Sequence, residues 1–351
     1  MIGEEIDDHK LMYHPERVSK WLKEGDCFPI YVEIGLTNRC NHNCIFCALD
    51  WTKQKPVDIE REVMLSALED MVKGGVKSIM FSGEGEPLLH NDVPLFVQSA
   101  KKAGMDVAIT TNGVFFDKDK ADHCLSALSW IRFSTDAATK ETYSRVHGTK
   151  VEDFDRLMQN IEYALRKKRE GDLPVTIGVQ TLILPTNIRE INTLAERCKE
   201  MGVDNLQIKP YSHHPSSKND LRVTGEKVKE LDESLKGLSD EKFHIHFRRR
   251  TIKRIERGCD YQECYGLPFF ALIDAKGNVI PCNLYYNNPK FTYGNLHEES
   301  FSEIWLGDRR RQVLGKIRKE GVEKCRRGCR LDAINRYLER LKNPTLHDNF
   351  I

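Results

Sequence analysis

The sequence predicts an α/β protein: a parallel sheet built from βα units, followed by a smaller module of short strands. Three observations carry this. Six short apolar runs alternate with amphipathic stretches between residues 28 and 211, the rhythm of βα repeats. Glycine or proline punctuates many of the changes, as at Gly74–Gly75, Gly104, Pro185 and Gly202. After Tyr211 the rhythm breaks, and five of the eleven cysteines fall beyond residue 258.

Taken in order, Ile30–Leu36 (IYVEIGL) reads as the first strand and Arg61–Gly74 as the helix that follows. Ser78–Ser82 is a strand, Val93–Ala103 a helix and Val107–Thr111 a strand ending in Asn112–Gly113. Lys118–Leu128 reads as helix, Trp130–Ser134 as strand and Val151–Lys168 as a long amphipathic helix. Val175–Leu184 is a strand stopped by Pro185, Ile188–Met201 a helix and Asn205–Pro210 the sixth strand. Six units are too few to close an eight-stranded barrel. An open six-unit barrel and a doubly wound sheet both remain, and in either the ligands sit at the carboxyl ends of the strands. Ser212–Asp220 is polar and loop-like, Gly225–Leu238 reads as helix and His244–Arg250 as strand. The expected organisation is an N-terminal extension (1–27), a core (28–211), a connecting segment (212–258) and a cysteine-rich α+β module (259–351).

Composition excludes several classes. With 351 residues, 40% hydrophobic and 30% charged, the chain is neither disordered nor collagenous. A formal net charge of +1 provides no global field for nucleic acid or a membrane surface. The opening MIGEEIDDHK lacks the apolar stretch of a secretory signal. No run approaches the ~18 apolar residues of a membrane span. A cytoplasmic location is expected, where clustered cysteines mean metal or catalysis before disulfides.

Two cysteine constellations stand out. Cys40, Cys44 and Cys47 have the spacing C-x3-C-x2-C directly after the first strand. Three thiolates on one loop suit three irons of a cubane cluster and leave the fourth iron open; a zinc knuckle completed by His42 is the bland alternative. The second strand runs into Gly83-Glu84-Gly85-Glu86-Pro87, and the third and fourth end in Thr111-Asn112-Gly113 and Ser134-Thr135-Asp136. Downstream, Cys264 and Cys282 are spaced C-x12-G-x4-C, with Gly277 at a hairpin turn between them, and Cys325 and Cys329 close the set. Four thiolates saturate one 4Fe–4S cluster, and equally suit a zinc ribbon. Lys324, Arg326, Arg327 and Arg330 surround the last pair, and nearby cations raise a cluster's reduction potential.

C-x3-C-x-aromatic-C after the first strand, followed by GEGEP, resembles the signature of radical S-adenosylmethionine (SAM) enzymes. The later cysteines resemble the family's SPASM extension or its shorter form, Twitch. The SPASM middle run of cysteines is absent, which favours the Twitch form with one auxiliary cluster. The resemblance implies a partial (β/α)6 barrel and two 4Fe–4S clusters, one on Cys40, Cys44 and Cys47 and an auxiliary one on Cys264, Cys282, Cys325 and Cys329. It implies reductive cleavage of SAM to a 5′-deoxyadenosyl radical that abstracts hydrogen from substrate. By the same resemblance Phe46 lies beside the adenine, and Gly83, Glu84, Gly85, Glu86 and Pro87 hold the methionine amino group, with Glu84 standing where the family has glycine. Asn112, Ser134, Asp136 and Arg145 are the remaining candidate SAM contacts.

Few residues precede the first strand, where peptide-modifying relatives often carry a peptide-binding domain. The missing middle cysteines argue against the sulfatase-maturing type. The chain ends in Asp348-Asn349-Phe350-Ile351 rather than the Gly-Gly of the GTP-cyclising type. The expected substrate is therefore a small polar molecule: a sugar, an aminocyclitol or a nucleotide-linked carbohydrate. The expected reaction is oxidation of an alcohol carbon, with the auxiliary cluster as electron acceptor and a flavodoxin or ferredoxin as reductant. The alternatives are a redox-neutral epimerase with Cys259 as hydrogen donor, a peptide-modifying enzyme, or a non-catalytic zinc scaffold. Gln180, Lys209, His213 and His214 are placed to line the barrel mouth, and the basic run Arg248-Arg249-Arg250 is either a solvated face or a site for an anionic substrate.

Overall fold

Strand β1 (Tyr31–Gly35) alternates as the sequence requires, with Val32 and Ile34 fully buried on one side and Glu33 on the other. The computed structural model describes residues 8–52 and 54–350. Beside β1 lie β2 (Ser78–Ser82), β3 (Asp106–Thr111), β4 (Trp130–Ser134), β5 (Thr176–Ile183) and β6 (Asn205–Pro210), all parallel. Their apolar faces are in register: Val32 lies beside Ile79 and Ile79 beside Val107, while Ile109, Ile131 and Ile177 continue the row.

The helices cover that apolar face. They include α2 (Arg61–Lys73), α3 (Val93–Lys102), α4 (Lys118–Cys124), α5 (Lys140–His147), α6 (Glu152–Glu170) and α7 (Ile191–Met201), whereas α1 (Pro15–Glu24) packs Val18 and Trp21 with Ile30, Phe269 and Leu338 in a separate cluster. Helix α6 shows why: Phe154, Leu157, Ile161, Ala164 and Leu165 recur at helical spacing and are all buried, so one stripe meets the sheet and charge faces out. The opposite face of the sheet carries the half-buried polar side chains Arg132, Ser134, Gln180 and Lys209.

The sheet does not stop at the sixth strand. After α8 (Gly225–Ser234), β7 (His244–Phe247) adds in parallel to β6. The strand ends there, because Arg249–Arg257 form a helix, α9, instead of extending the strand to Arg250. On the other edge β8 (Phe270–Ile273) pairs in parallel with β1, and the hairpin partner β9 (Asn278–Ile280) and short β10 (Gly294–Asn295) follow. The ten strands run β10-β9-β8-β1-β2-β3-β4-β5-β6-β7, an open parallel barrel wall with the cysteine-rich module joined to it by hydrogen bonds.

The chain ends with α10 (Phe301–Leu306), α11 (Asp308–Glu320) and α12 (Asp332–Lys342). Ser300 and Glu303 form a reciprocal capping box at the start of α10. Trp305 donates its indole N–H to the Cys27 carbonyl at 2.8 Å. Arg310, fully buried on α11, stacks 3.8 Å over the Trp305 ring and makes two 2.7 Å bonds to Asp26. These contacts fasten the C-terminal helices to the segment just before β1. No helix among the described residues is long and apolar enough to cross a membrane.

Candidate active site

The first cysteine set sits at the carboxyl end of β1; the second gathers toward the amino ends of β1 and β8, since Cys264 precedes β8 and Cys282 follows the antiparallel β9. The first loop leaves β1 and docks on the last turn of α5: the amides of Asn43 and Ile45 donate to the carbonyls of His147 and Val146, both at 3.0 Å. Gly148 (φ +57°) permits the approach, since a Cβ there would lie 2.3 Å from the Asn43 carbonyl oxygen. Cys40 is exposed, while Cys44 and Cys47 are half-buried. Burial, followed by the charges of Cys40, Asp136 and Cys47, pushes the Cys44 thiol well above its ordinary value. Three crowded thiols whose thiolate forms disfavour one another suit iron, which binds the thiolate and removes the proton.

His42 and His147 also belong to this corner. Ligand atoms of His42, Cys44 and His147 lie within 4.8 Å of one another. His147 Nδ1 is 3.4 Å from Cys44 Sγ, and the Asp136 amide donates to Nε2 at 3.3 Å. Asp136 Oδ2 also lies 3.4 Å from Nε2; in the tautomer in which Nε2 accepts from the amide, the ring proton sits on Nδ1 and faces the sulfur. Burial depresses the His42 imidazole to about 4, and the ring lies 5.3 Å from that of His147.

The loop after β2 closes over the cysteine loop. The Glu86 amide donates to the Arg39 carbonyl at 2.8 Å. A Cβ on Gly85 would lie 2.3 Å from the Arg39 oxygen and 2.4 Å from that of Thr37, so only glycine fits. The Glu86 carboxylate is buried and accepts from Thr111 Oγ1 (2.5 Å), the Asn112 amide (2.8 Å) and the Leu88 amide (3.1 Å). Burial outweighs those bonds and raises its carboxyl to about 7. Asn112 bridges onward, its side-chain amide donating to Asn41 Oδ1 at 2.8 Å. Glu86 and Asn112 thus face the cysteine loop together. Pro87 is buried and opens a short 3-10 turn.

Other candidates are placed differently. Gly83 (φ +119°) backs onto Gly35, and Glu84 reaches away to accept from the Ala275 amide of the β8–β9 hairpin at 2.8 Å. Asp136 is buried and accepts from the Leu182 amide (2.5 Å), so it staples β4 to β5. Ser134 is half-buried at the carboxyl end of β4. Arg145 is exposed and donates to Thr142 Oγ1 on its own helix. Phe46 lies edge-on to the His147 ring at 5.5 Å and packs beside Val146, Leu184 and Tyr211.

The second set converges from three segments: Cys264 before β8, Cys282 after β9, and Cys325 and Cys329 between α11 and α12. Burial, then the charges of Cys329, Cys282 and Cys325, push the Cys264 thiol well up. Asn335 Nδ2 donates to Cys264 Sγ at 3.5 Å. All four thiols line one cavity of about 210 Å³, whose far wall is the polar face of the barrel at Glu33, Leu182 and Lys209. Cys259 is not on that wall. Its thiol donates to the Tyr261 hydroxyl at 3.5 Å, beside Cys325 and Cys329. Lys209 Nζ donates to Gln180 Oε1 at 3.3 Å; burial, then Arg248, Arg132, Arg330 and Arg326, push its ammonium down to about 7. His213 is exposed on the Asn219 carbonyl, and His214 stacks on Trp51. The basic run divides: Arg248 lines the cavity, whereas Arg249 and Arg250 pair with Asp232 and Asp8.

Residues 34–198 match the radical SAM superfamily, and residues 264–330 match the SPASM iron–sulfur cluster-binding domain. The chain belongs to the radical SAM superfamily. Its radical SAM and SPASM domains imply a 4Fe–4S cluster each, with SAM as the cosubstrate, which sets aside zinc for both cysteine sets. Among relatives, a tungsten-containing aldehyde ferredoxin oxidoreductase cofactor-modifying protein of Pyrococcus furiosus is 24% identical over 305 residues, 80% of this chain and 81% of that protein. A probable GTP 3′,8-cyclase of Saccharolobus solfataricus is 28% identical over 226 residues, 63% of this chain and 70% of that one. Among solved structures, SuiB of Streptococcus suis bound to S-adenosylmethionine superposes with a TM-score of 0.67 at 17% identity, over 88% of this chain and 72% of that chain.

Sequence reasoning missed several residues of this radical SAM site. Glu33 and Arg132 were legible as charges inside apolar strands, in IYVEIGL and WIRFS. Glu33 accepts from Ser82 Oγ (2.7 Å) and pairs with Arg330 at 2.5 Å. His147 had no signal, since its contact with Cys44 crosses 103 positions of sequence.

Proposed function

We propose that this radical SAM enzyme oxidises an alcohol carbon of a small polar substrate, a sugar, aminocyclitol or nucleotide-linked carbohydrate, held where the polar face of the barrel meets the SPASM cysteines. One observation carries the reading: a single cavity is walled on one side by the four SPASM thiols and on the other by the polar face of the barrel. In this reading Cys40, Cys44 and Cys47 hold the SAM-binding cluster, and Cys264, Cys282, Cys325 and Cys329 hold one auxiliary cluster, the Twitch arrangement. When bound, the first cluster and SAM supply a hydrogen-abstracting 5′-deoxyadenosyl radical, and the second accepts an electron.

The chain's own residues provide the rest. Glu86 presents a buried carboxylate to the methionine ammonium, with Gly85 allowing backbone carbonyls to close in. Phe46 offers an aromatic edge to the adenine, and Ser134 a hydroxyl at the strand end. Lys209, poised by burial near neutrality, is the acceptor for the hydroxyl proton that leaves as the ketone forms. Bound SAM would take up one substrate C–H hydrogen and a bound auxiliary cluster one electron, while Lys209 would take the O–H proton, so the product would be two hydrogens lighter. The epimerase alternative needs a thiol facing the substrate, and Cys259 bonds to Tyr261 instead. An external one-electron donor, a flavodoxin or ferredoxin, and a cytoplasmic location complete the proposal.

The test is anaerobic turnover of reconstituted enzyme with SAM, dithionite and a panel of polyols and nucleotide sugars. A product 2 Da lighter, formed in step with 5′-deoxyadenosine, is the expected outcome. An isomer of unchanged mass would instead establish a redox-neutral reaction.

A further inference from the structure

The loop after β2 faces the cysteine loop and also reaches into the SPASM domain. Glu84 stands between Gly83 and Gly85, and its half-buried carboxylate accepts the Ala275 amide at 2.8 Å. Ala275 is fully buried and belongs to the turn between β8 and β9. That turn is tightly built. Asp274 accepts from the Lys276 and Asn278 amides and from Asn278 Nδ2, each at 2.9 Å, and Gly277 supplies the positive φ of +78°. Asn295 fastens the turn to β10, donating to the Lys276 carbonyl and to Asn278 Oδ1, both at 2.9 Å. Strand β9 then leads to Cys282.

The two glycines beside Glu84 leave no slack on the other side. A Cβ on Gly83 would lie 2.8 Å from Gly35 Cα, and one on Gly85 2.3 Å from the Arg39 carbonyl oxygen. The Glu84 carboxylate also accepts from Gln54 Nε2 at 3.4 Å, from the chain just beyond the cysteine loop. One side chain therefore joins the loop after β2, the sequel of the cysteine loop and the SPASM hairpin. A second tie ends on the same loop. Arg330, next to Cys329, pairs with Glu33 at 2.5 Å, and Glu33 accepts from Ser82 Oγ at 2.7 Å. A buried amide that loses its acceptor bears the full cost of its desolvation. The Ala275 contact thus favours the arrangement in which loop and hairpin are both in place.

We infer that Glu84 is a positioning residue that locks the SAM-binding loop to the SPASM hairpin, so that bound SAM and the docked hairpin stabilise each other. The inference rests on the reading that Gly83–Pro87 hold SAM. Glu84 itself acts through Gly85 and Glu86, the two residues that follow it. Breaking the Ala275 contact frees the loop to leave the position that sets the Glu86 carboxylate against Thr111 and Asn112. Coupling of this kind is reciprocal. If the contact strengthens SAM binding by some factor, bound SAM strengthens the contact by the same factor. The hairpin amide therefore reports SAM binding from the other domain.

The test uses holoenzyme reconstituted anaerobically. SAM affinity is measured by calorimetry, and hydrogen–deuterium exchange of the peptide spanning Ala275 is followed with and without SAM. Glu84→Ala removes the acceptor without backbone strain, since among the described residues only Asp172 and Asn287 have positive φ outside glycine. Glu84→Gln keeps an acceptor oxygen. In the wild type, SAM should slow exchange at the hairpin by roughly fivefold or more. Glu84→Ala should bind SAM more weakly by roughly the same factor and lose that slowing, with its iron content unchanged. Glu84→Gln should restore most of both. A purely structural role would shift unfolding without making hairpin exchange depend on SAM. The wild-type exchange experiment stands by itself should Glu84→Ala fold poorly. Exchange indifferent to SAM in the wild type, wild-type affinity in Glu84→Ala, or Glu84→Gln no better than Glu84→Ala would overturn the inference. Glu86→Gln separates it from the underlying reading. Weak SAM binding there beside tight binding in Glu84→Ala fails the lock alone, whereas wild-type affinity in Glu86→Gln fails the reading of the loop as well.

Discussion

Replacing Gly85 with alanine adds one methyl group between the SAM loop and the cysteine loop, and the effect follows from three distances. The new Cβ would lie 2.3 Å from the Arg39 carbonyl oxygen, 2.4 Å from that of Thr37 and 2.9 Å from the Asn38 carbonyl carbon. Ordinary C···O contacts begin near 3.3 Å, so the backbone must retreat by roughly 1 Å. The obstructing atoms are main chain, and no side chain can rotate away. Overpacking costs about 1–3 kcal/mol, and a rigid wall places this substitution at the upper end, about 2–3 kcal/mol. The displaced atoms precede Cys40 directly, and Arg39 also accepts the Glu86 amide. Gly85→Ala is therefore expected to lose iron selectively from the first cysteine set, bind SAM at least tenfold more weakly, and keep the auxiliary iron. Gly225→Ala is the control, since nothing lies within 4 Å of a Cβ there. Denaturant unfolding, iron analysis and SAM titration are the assays. A Gly85→Ala protein with full iron, wild-type SAM affinity and unchanged unfolding would refute the packing argument.

Three further outcomes are expected. His147→Phe removes the N–H facing Cys44 Sγ and leaves the iron content intact; a lost hydrogen bond of about 0.5–1.5 kcal/mol lowers the one-electron potential of the first cluster by roughly 20–60 mV. An unchanged midpoint in an EPR-monitored titration contradicts this, and His147→Gln, which retains a donor, should restore part of the shift. Free Glu86, raised to about 7, is mostly protonated at pH ~6 and loses its proton to meet the SAM ammonium. SAM affinity should then rise between about pH 6 and pH 8, with up to one proton released at the lower pH and none in Glu86→Gln; calorimetry in two buffers of different ionisation enthalpy measures it. Arg310→Met strands Asp26 and unstacks Trp305; because Asp26 is partly exposed, a loss of about 1–3 kcal/mol is expected, and equal stability by denaturant unfolding rejects that role.

Much of this was legible in sequence because it is local. All six expected strands appear within one or two residues of their expected ends, since apolar alternation and glycine or proline punctuation act over a few residues. The two cysteine sets were legible because spacing and strand ends place ligands. What escaped depends on pairing across the chain. Strand β8 pairs with β1 across more than two hundred positions, and no periodicity encodes that partner. Helix α5 is only eight residues long and largely polar, so it carries little helical pattern, yet it holds the cysteine loop. The basic run looked uniform, but the turn from β7 into α9 sends Arg248 to the cavity and its neighbours to surface carboxylates. Cys259 fell close to the auxiliary cysteines as its position implies, while its direction, toward Tyr261, depends on α12 and Asp332 behind that ring.

The central claim is that two separate cysteine sets each hold a four-iron cluster, the second on the wall of a cavity that reaches the polar face of the barrel. Iron and acid-labile sulfide, measured after anaerobic reconstitution of the wild type and of the Cys40→Ala/Cys44→Ala/Cys47→Ala variant, test it most directly. The account predicts about eight irons in the first and about four in the second. About four irons in the wild type and none in the variant would contradict it, leaving Cys264, Cys282, Cys325 and Cys329 without a cluster and the oxidation without its electron acceptor.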